Sequence, residues 1–264
     1  MELIDTHAHL YLPEFFSDLK QVVQRARAAG VFRVLLPNID TASIAQMHEA
    51  CSLYPDFFSP MMGFHPCSFS VSEPRVPEEI RQKVNAAEYF GVGEIGLDAY
   101  WDQSTLEFQQ QGFIEQMIQA RDCSLPVSIH CRDAFDIFEK CLHILVSEHG
   151  FGPQNFHGVL HCFTGTAEQG RRALDAGFYL GVGGVITYKK SGLAETLAQL
   201  PVERMVLETD APYLPPVPFR GKRNEPAYLR YVAEALAAVK NMTLADVAEV
   251  TTRNAMAVFF DHRL

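Results

Sequence analysis

The sequence has neither a long apolar run nor a cysteine framework. No stretch approaches the roughly eighteen consecutive apolar residues that a membrane-spanning helix needs, so we expect no membrane association. The N-terminus lacks a basic segment followed by an apolar one, and we therefore expect no secretory signal peptide. The six cysteines contain no C-x-x-C pair and no regular spacing, which favours reduced thiols in a cytoplasmic protein over disulfides.

An excess of positive charge is also missing. The formal net charge is −10, which argues against a protein that coats nucleic acid through a broad basic surface. It leaves room for an enzyme that holds a phosphate locally through metal ions and a few arginines. The sequence has no low-complexity tract, charge block or internal repeat, and 48% of its residues are hydrophobic, so we expect one large domain over residues 1–264.

Apolar periodicity predicts eight short strands that alternate with helices. The strands follow buried apolar runs, and we predict them at residues 1–4, 31–37, 57–63, 91–97, 126–130, 157–162, 178–183 and 204–209. The helices follow amphipathic segments, and we predict them at about 13–29, 41–54, 77–89, 104–122, 133–148, 166–176, 192–200, 226–239 and 244–260. Thr243 is expected to cap the last helix.

This alternation is typical of an α/β fold of the (β/α)₈ TIM-barrel type. The alternative is an open doubly wound sheet, in which ligands bind after one or two strands. No G-x-G-x-x-G motif opens the first helix, and polar residues lie at the ends of many predicted strands. The sequence therefore favours the barrel.

The segment Asp5-Thr6-His7-Ala8-His9 stands at the end of the first predicted strand. Side chains two residues apart share a face of a strand, so His7 and His9 are expected to point the same way. Adjacent imidazoles are poor core residues, because each carries a donor and an acceptor that need partners. They are good ligands for a divalent metal. The pair alone leaves two interpretations open, metal ligands or hydrogen-bonded structural histidines.

Further polar residues fall on or just after later predicted strands, namely His65, Glu94, His130, His161 and Asp210. Each of them has a structural interpretation when taken singly. A lone histidine can form a cap or a hydrogen bond, Glu94 can pair with a basic residue inside the barrel, and Asp210 can cap a turn. In a barrel, however, the carboxyl ends of the strands converge on one pocket. We therefore predict that these side chains meet.

A mixture of nitrogen and oxygen ligands suits zinc or manganese, and magnesium less well. We predict two divalent metal ions, bridged by Glu94 and about 3.5–4 Å apart. One site would be completed by His7, His9 and Asp210, and the other by His130 and His161. Metal-activated water would be the nucleophile, and Asp210 could accept its proton, so Glu94 and Asp210 are the predicted catalytic residues.

A basic loop, Pro218-Phe-Arg-Gly-Lys-Arg-Asn-Glu-Pro226, follows the last predicted strand. Arg220, Lys222 and Arg223 could hold phosphate oxygens of a substrate. The alternative is a solvated basic loop whose charge is balanced by Glu225.

Two other segments have less specific patterns. Arg132, which follows His130 closely, either contacts a phosphate or belongs to the start of a helix. Tyr100-Trp101 and the segment 67–69 could form apolar walls on which a base stacks, although loop aromatics more commonly pack against the protein.

Seven motifs in order resemble one family. They are Asp-Thr-His-Ala-His-Leu, Gly-Phe-His-Pro, Gly-Glu-Ile-Gly-Leu-Asp, Ile-His-Cys-Arg-Asp-Ala, His-Cys-Phe-Thr-Gly, Glu-Thr-Asp-Ala-Pro-Tyr-Leu and Arg-Gly-Lys-Arg-Asn-Glu-Pro. Together, from residue 5 to about residue 257, they look like the TatD-type deoxyribonucleases, which are metal-dependent hydrolases related to the amidohydrolases. The resemblance implies a TIM barrel, a two-metal centre and hydrolysis of DNA phosphodiesters from the 3′ end.

Carried over by position, the family's metal ligands fall on the residues already assembled, His7, His9, Glu94, His130, His161 and Asp210. His65 matches the Gly-x-His-Pro position, which implies a substrate contact or a residue beside the ligands. Ala99 and Cys67 depart from the family pattern, at positions where many relatives have tyrosine and histidine. These departures concern the substrate and leave the metal chemistry intact.

We therefore expect a monomeric metal-dependent deoxyribonuclease that acts on DNA or another phosphoester. The first alternative keeps the metal centre and changes the substrate to a small phosphoester, a lactone or an amide. The second is a metal-loaded binding or scaffold protein without activity.

Overall fold

A computed structural model describes residues 1–85 and 88–261 of the chain. Within these residues eight strands alternate with helices. The strands are β1 (Leu3–Asp5), β2 (Val31–Pro37), β3 (Phe58–Met61), β4 (Val92–Asp98), β5 (Val127–Arg132), β6 (Gly158–Leu160), β7 (Tyr179–Val182) and β8 (Met205–Leu207). The α-helices are α1 (Leu19–Ala28), α2 (Ile44–Leu53), α3 (Glu78–Val84), α4 (Leu106–Asp122), α5 (Phe135–His149), α6 (Ala167–Ala176), α7 (Leu193–Ala198), α8 (Leu229–Lys240) and α9 (Leu244–Phe259).

The strands pair in parallel and in chain order, in one sheet of β1-β2-β3 and a second of β4-β5-β6-β7-β8. Backbone hydrogen bonds connect the two sheets at both seams. Thr6 N donates to Leu207 O at 3.0 Å between β1 and β8, and Gly93 N donates to Met62 O at 3.1 Å between β3 and β4. Eight consecutive parallel strands with intervening helices make this α/β fold a TIM barrel, as the sequence predicts.

The strands read as continuous apolar runs because both of their faces are covered. Every residue of β4 is buried, for example. The helices bury one face only, and in α8 this face is formed by Leu229, Val232, Ala233 and Leu236, at the spacing of an amphipathic helix. Thr243 caps α9 as predicted, because its side chain accepts the N–H of Asp246 at 3.1 Å.

The predicted continuous helix at 13–29 is wrong in its first half. Residues Pro13–Phe15 form a short 3₁₀ turn, and α1 begins only at Leu19. Asp18 lies between them with φ −142° and ψ 20°, outside the helical region. Its carboxylate receives two hydrogen bonds from Arg223, so a long-range ion pair holds the backbone at the point where local periodicity predicts a helix.

The predicted third helix is shorter than the apolar pattern indicates. The pattern extends to about residue 89, whereas α3 covers Glu78–Val84. Residues 86 and 87 of this prediction lie outside the described part of the chain. Among the residues described, every helix is too short or too polar to span a lipid bilayer.

Candidate metal centre

The carboxylate of Glu94 lies at the centre of the barrel mouth, surrounded by imidazoles. Glu94 is part of β4, and only 4% of its side chain is exposed. Five histidines approach it within 3.5 Å, and their residue numbers run from 7 to 161. A buried carboxylate is costly unless cations or donors surround it, and here the barrel brings them from four separate segments.

One oxygen of Glu94 faces the N-terminal histidines. Oε2 is 3.2 Å from Nε2 of His7 and 3.5 Å from Nε2 of His9, and these two nitrogens are 3.3 Å apart. Asp210 Oδ1 lies 3.6 Å from Nε2 of His9 and 4.0 Å from Nε2 of His7. The backbone joins these segments, because Asp210 N donates to His7 O at 2.9 Å while Asp210 adopts a left-handed φ of 57°. This φ is one that aspartate tolerates better than most residues.

The other oxygen of Glu94 faces three different imidazoles. Oε1 is 3.1 Å from Nδ1 of His130, 3.1 Å from Nε2 of His161 and 3.3 Å from Nε2 of His65. The two oxygens of one carboxylate therefore serve two groups of ligand atoms. Three sets of side chains in this cluster have ligand atoms close enough to share an ion: His7–His9–Glu94, His7–His161–Asp210 and His65–Glu94–His130.

The hydrogen bonds on the far sides of four histidines favour ligation through the near nitrogen. Nδ1 of His9 contacts Tyr11 Oη at 3.0 Å, and because that hydroxyl donates to Pro37 O, it must accept from His9. Nε2 of His130 contacts Asp98 Oδ2 at 2.8 Å. Because a carboxylate only accepts hydrogen bonds, this nitrogen carries a proton.

His161 and His7 follow the same pattern. Nδ1 of His161 lies 3.2 Å from Glu208 Oε1, an ion-pair distance without hydrogen-bond alignment, and Nδ1 of His7 contacts Ser128 Oγ at 3.0 Å. We assign a proton to the far nitrogen of each of these four rings, which leaves the near nitrogen available to a cation. The residues present thus fit divalent metal ions.

His65 differs from the other four histidines. Its Nδ1 accepts the backbone N–H of Cys67 at 3.0 Å, so in the neutral ring the proton is on Nε2, the nitrogen that faces Glu94. A nitrogen that carries a proton donates a hydrogen bond and cannot bind a metal. Although His65 lies within the cluster, its hydrogen bonding favours a donor over a ligand.

Four partners of the histidines escaped the sequence interpretation, namely Tyr11, Asp98, Ser128 and Glu208. All four stand an even number of residues from a predicted ligand, as Tyr11 does from His9, Ser128 from His130, Glu208 from Asp210 and Asp98 from Glu94. The two-residue period that groups His7 with His9 could therefore have indicated them.

The electrostatics of the cluster follow from its burial and its charges. Burial raises the pKa of Glu94, but the nearby imidazoles of His65, His7 and His161 outweigh it and hold that pKa well below its usual range. Burial lowers the pKa of His161, but the carboxylates of Glu208 and Glu94 outweigh it and raise the pKa well above the usual value. The pKa of His130 is raised for the same reason by Asp98 and Glu94, against the effect of burial.

The pKa of Asp210 is lowered as well, although burial acts to raise it. The hydrogen bond with His9 and the charges of His161 and His7 have the larger combined effect. Asp210 is therefore a carboxylate at neutral pH, and its side chain is 15% exposed, which makes it more open to the mouth than Glu94.

The predicted substrate-binding cations occupy different environments. Arg132 is exposed and stacks on Tyr100, with its Cζ 3.7 Å from the ring centroid. Arg220 is exposed and lies over Tyr188, with its Cζ 4.4 Å from that centroid, and Lys222 is exposed with its Nζ 5.9 Å from the Phe219 centroid.

Arg223 forms an ion pair with Asp18. Its guanidinium donates to both oxygens of Asp18, at 2.8 and 2.7 Å, and its Cζ lies 4.5 Å from the Phe15 centroid. Glu225 pairs with Arg25 and does not balance the basic loop, as the alternative interpretation of that loop had it. Of the three basic residues in the loop, Arg223 thus supports the fold, while the other two remain accessible.

A TIM barrel whose strand ends bring imidazoles and carboxylates around one buried glutamate defines a class of proteins, the metal-dependent hydrolases. Comparison with known proteins identifies the family. A family model described as TatD related DNase matches residues 4–260. The chain belongs to this family, and it is a metal-dependent hydrolase of the kind that acts on ester bonds.

Individual relatives match over almost their whole length. The chain is 38% identical over 258 residues to a protein of Bacillus subtilis described as the uncharacterized metal-dependent hydrolase YabD, and the match covers 97% of this chain and 98% of YabD. It is 34% identical over 263 residues to the 3'-5' ssDNA/RNA exonuclease TatD of Pectobacterium atrosepticum, with 97% and 99% covered. Among solved structures, the TatD homologue YJJV of Escherichia coli superposes with a TM-score of 0.86 at 31% identity, and 97% of each chain is covered.

Proposed function

We propose that this hydrolase is a deoxyribonuclease that cleaves phosphodiester bonds at the 3′ end of single-stranded DNA with two divalent metal ions, zinc, manganese or magnesium. We also propose that residues 1–264 form a single catalytic domain. The observation that carries the proposal is the position of Glu94, whose two oxygens face two separate groups of histidines. One relative that matches over 97% of this chain is described as a single-strand exonuclease, which supports the choice of substrate.

We assign the two groups of side chains to two ions. His7, His9 and Asp210 would hold one ion, His130 and His161 the other, and Glu94 would bridge them. When bound, the ions would activate water and neutralise charge on the phosphodiester.

The chain's own groups then have distinct tasks. Asp98 and Glu208 hold the rings of His130 and His161 from behind, which fixes the nitrogen offered to a cation. Asp210, partly open and ionised, is positioned to accept a proton from the attacking water.

We assign the remaining polar groups at the mouth to the substrate. His65 would donate its Nε2–H to a phosphate oxygen, because its other nitrogen accepts from Cys67 N. Arg132, Arg220 and Lys222 are exposed and would add positive charge along the nucleic-acid backbone. Arg223 is not among the proposed substrate contacts, because both of its terminal nitrogens donate hydrogen bonds to Asp18.

The test is hydrolysis of a 5′-labelled single-stranded oligonucleotide by purified protein supplied with magnesium, manganese or zinc. We expect successive shortening from the 3′ end, and a 3′-blocked oligonucleotide should persist. Asp210→Asn should lower the rate by at least about 100-fold, since general-base catalysis contributes on the order of 10²–10⁴-fold. Asp56→Asn is the matched control, because Asp56 pairs with Arg27 away from the cluster and its side chain is 73% exposed.

A panel of small phosphoesters, lactones and amides separates the alternatives. If the metal-loaded wild type leaves DNA intact and hydrolyses one of these compounds, the nuclease assignment is wrong. Arg220→Gln should slow cleavage of DNA and weaken its dependence on salt, but it should leave hydrolysis of a neutral compound unchanged. Complete inactivity with metal bound would instead favour the scaffold role.

A further inference from the structure

A cluster of two aromatic rings and one cation stands exposed beside the metal centre. Arg132 Cζ lies 3.7 Å from the ring centroid of Tyr100 and 5.4 Å from that of Trp101. The two rings meet edge to face, with centroids 5.0 Å apart and an angle of 88°. Tyr100 is 53% exposed and Trp101 69% exposed. Tyr100, Trp101 and Arg132 are called the aromatic cluster below.

Asp98 contacts both the aromatic cluster and the metal centre. Its Oδ1 accepts the backbone N–H groups of Tyr100 and Trp101, each at 2.9 Å, while its Oδ2 contacts Nε2 of His130 at 2.8 Å. One buried carboxylate therefore fixes both the ring of a candidate ligand and the turn that carries the two aromatics. In the barrel Asp98 also pairs with Arg132 in the register of β4 and β5.

The register determines where the aromatic cluster lies. His130 and Arg132 are two residues apart on β5, so their side chains leave the strand on the same face. Both lie at the carboxyl end of β5, the end of the barrel at which Glu94 and its histidines meet. The aromatic cluster is thus the part of the mouth next to the His130 side of the centre.

The two rings are not fully packed against the protein, and the guanidinium of Arg132 is not in an ion pair with any described residue. Large aromatic rings at a loop usually pack against the protein, but here most of the Trp101 ring and about half of Tyr100 face solvent. Arg132 makes no ion pair with any residue of segments 1–85 and 88–261, so its charge remains available. An exposed flat ring beside an unpaired guanidinium suits a ligand with a flat face and a negative charge, which describes a nucleotide.

We propose that the aromatic cluster stacks against the base of the nucleotide next to the scissile phosphodiester and thereby selects unpaired over duplex DNA. This inference rests on the proposed nuclease function and names the residues that determine its specificity. A base in a duplex is already stacked and paired, so presenting its face to Trp101 would require opening the duplex. A single strand pays no such penalty.

Trp101 provides a direct readout, because it is the only tryptophan in the sequence. Binding of a phosphorothioate-protected single strand to the metal-loaded protein should quench its fluorescence. The same strand with abasic sites at its last positions should bind about tenfold more weakly and quench little, as expected for loss of one or two base–aromatic stacks. Trp101→Leu should weaken binding of the normal strand by about tenfold and bind both strands equally, whereas Arg132→Gln, which also removes a charge that would face the phosphates, should weaken binding of both strands.

Arg121→Gln is the matched control. Arg121 also stacks on a ring, 4.8 Å from the centroid of Phe151, but it lies near the end of α4, which leads into the opposite end of β5. The Arg121→Gln variant should bind the normal strand as tightly as the wild type does. Metal content and unfolding temperature should be unchanged in Trp101→Leu, because the side chain is largely exposed.

The outcomes are distinguishable. If the wild type degrades DNA while the abasic strand binds as tightly as the normal one, or while Trp101→Leu keeps its preference for the normal strand, the inference is wrong and the nuclease function stands. If the wild type neither binds nor cleaves DNA, the proposed function fails first and the inference fails with it.

Discussion

At the scale of single residues, the centre depends on which side of each imidazole carries its proton. His130 lies between Asp98 and Glu94, and His161 between Glu208 and Glu94. Each of these rings has a carboxylate on both sides, so in the metal-free protein each is stabilised as a cation. A metal ion that binds to the near nitrogen must displace a proton.

We therefore expect metal binding to release protons and to strengthen with pH. The pKa values of His161 and His130 are raised in the metal-free protein, so their protons compete with metal to higher pH than those of ordinary histidines. Apparent affinity should therefore keep rising with pH above the ordinary histidine pKa of about 6.5, and calorimetry in two buffers of different ionisation enthalpy measures the protons released.

Glu208→Gln tests the cause of this pH dependence. Removing the charge of Glu208 should lower the pKa of His161, so the rise in affinity should move to lower pH, while the affinity at high pH falls by about 10- to 100-fold. Glu203→Gln, at an exposed glutamate close in sequence, should leave the profile unchanged. A profile that is flat in pH for the wild type would contradict the raised pKa values of His161 and His130.

At the scale of elements, the spacing between β7 and β8 makes room for the carboxylate that holds His161. Gly181 lies on β7, and a Cβ placed there would stand 2.2 Å from Oε2 of Glu208. Oε2 is buried without a partner among the described residues. The absence of a side chain at Gly181 therefore allows Glu208 to reach His161 from the next strand.

We predict that Gly181→Ala displaces Glu208 and weakens metal binding by about 10- to 100-fold, the usual cost of losing a residue that orients a metal ligand. Gly183→Ala is the control, because a Cβ at that position would stand no closer than 3.8 Å to Glu208. Metal titration of both variants measures the difference. Equal affinity of Gly181→Ala and the wild type would mean that Glu208 does not position His161.

At the scale of the whole molecule, the centre joins the two sheets of the barrel. Asp5 belongs to β1 and receives hydrogen bonds, at 2.9 and 2.5 Å, from N and Oγ1 of Thr209, which lies two residues after the end of β8. The candidate ligands themselves come from both sheets, with His7 and His9 after β1, and Glu94 and His130 on β4 and β5. An ion bound by residues of both sheets stabilises the folded chain, because the unfolded chain cannot assemble them.

We predict that chelation lowers the unfolding midpoint and that a divalent metal restores it. A ligand that binds only the folded state adds about 2.7 kcal/mol at a free concentration 100 times its dissociation constant. Glu94→Gln should lose most of this metal-dependent shift, while Asp56→Asn should keep it. Identical denaturation curves of the wild type with and without metal would contradict the presence of a metal centre.

The sequence allowed much of this to be predicted, because the signals are local. Apolar runs and amphipathic segments predict the eight strands and the helices between them, and histidines or carboxylates at strand ends predict which side chains meet. Those predictions hold because a parallel barrel brings all strand ends to one mouth, whatever the packing details. The resemblance to the family, which rests on the same sequence, implies the same residues.

Tertiary structure alone decided the details that give the centre its chemistry. The nitrogen that His65 presents to Glu94 depends on the N–H of Cys67, and the commitment of Arg223 depends on Asp18, a residue about two hundred positions away in the chain. The exposure of Trp101 depends on the turn that Asp98 holds. In each of these contacts the local sequence pattern does not indicate which group will be the partner. Only the folded chain therefore determines which hydrogen bond or ion pair forms.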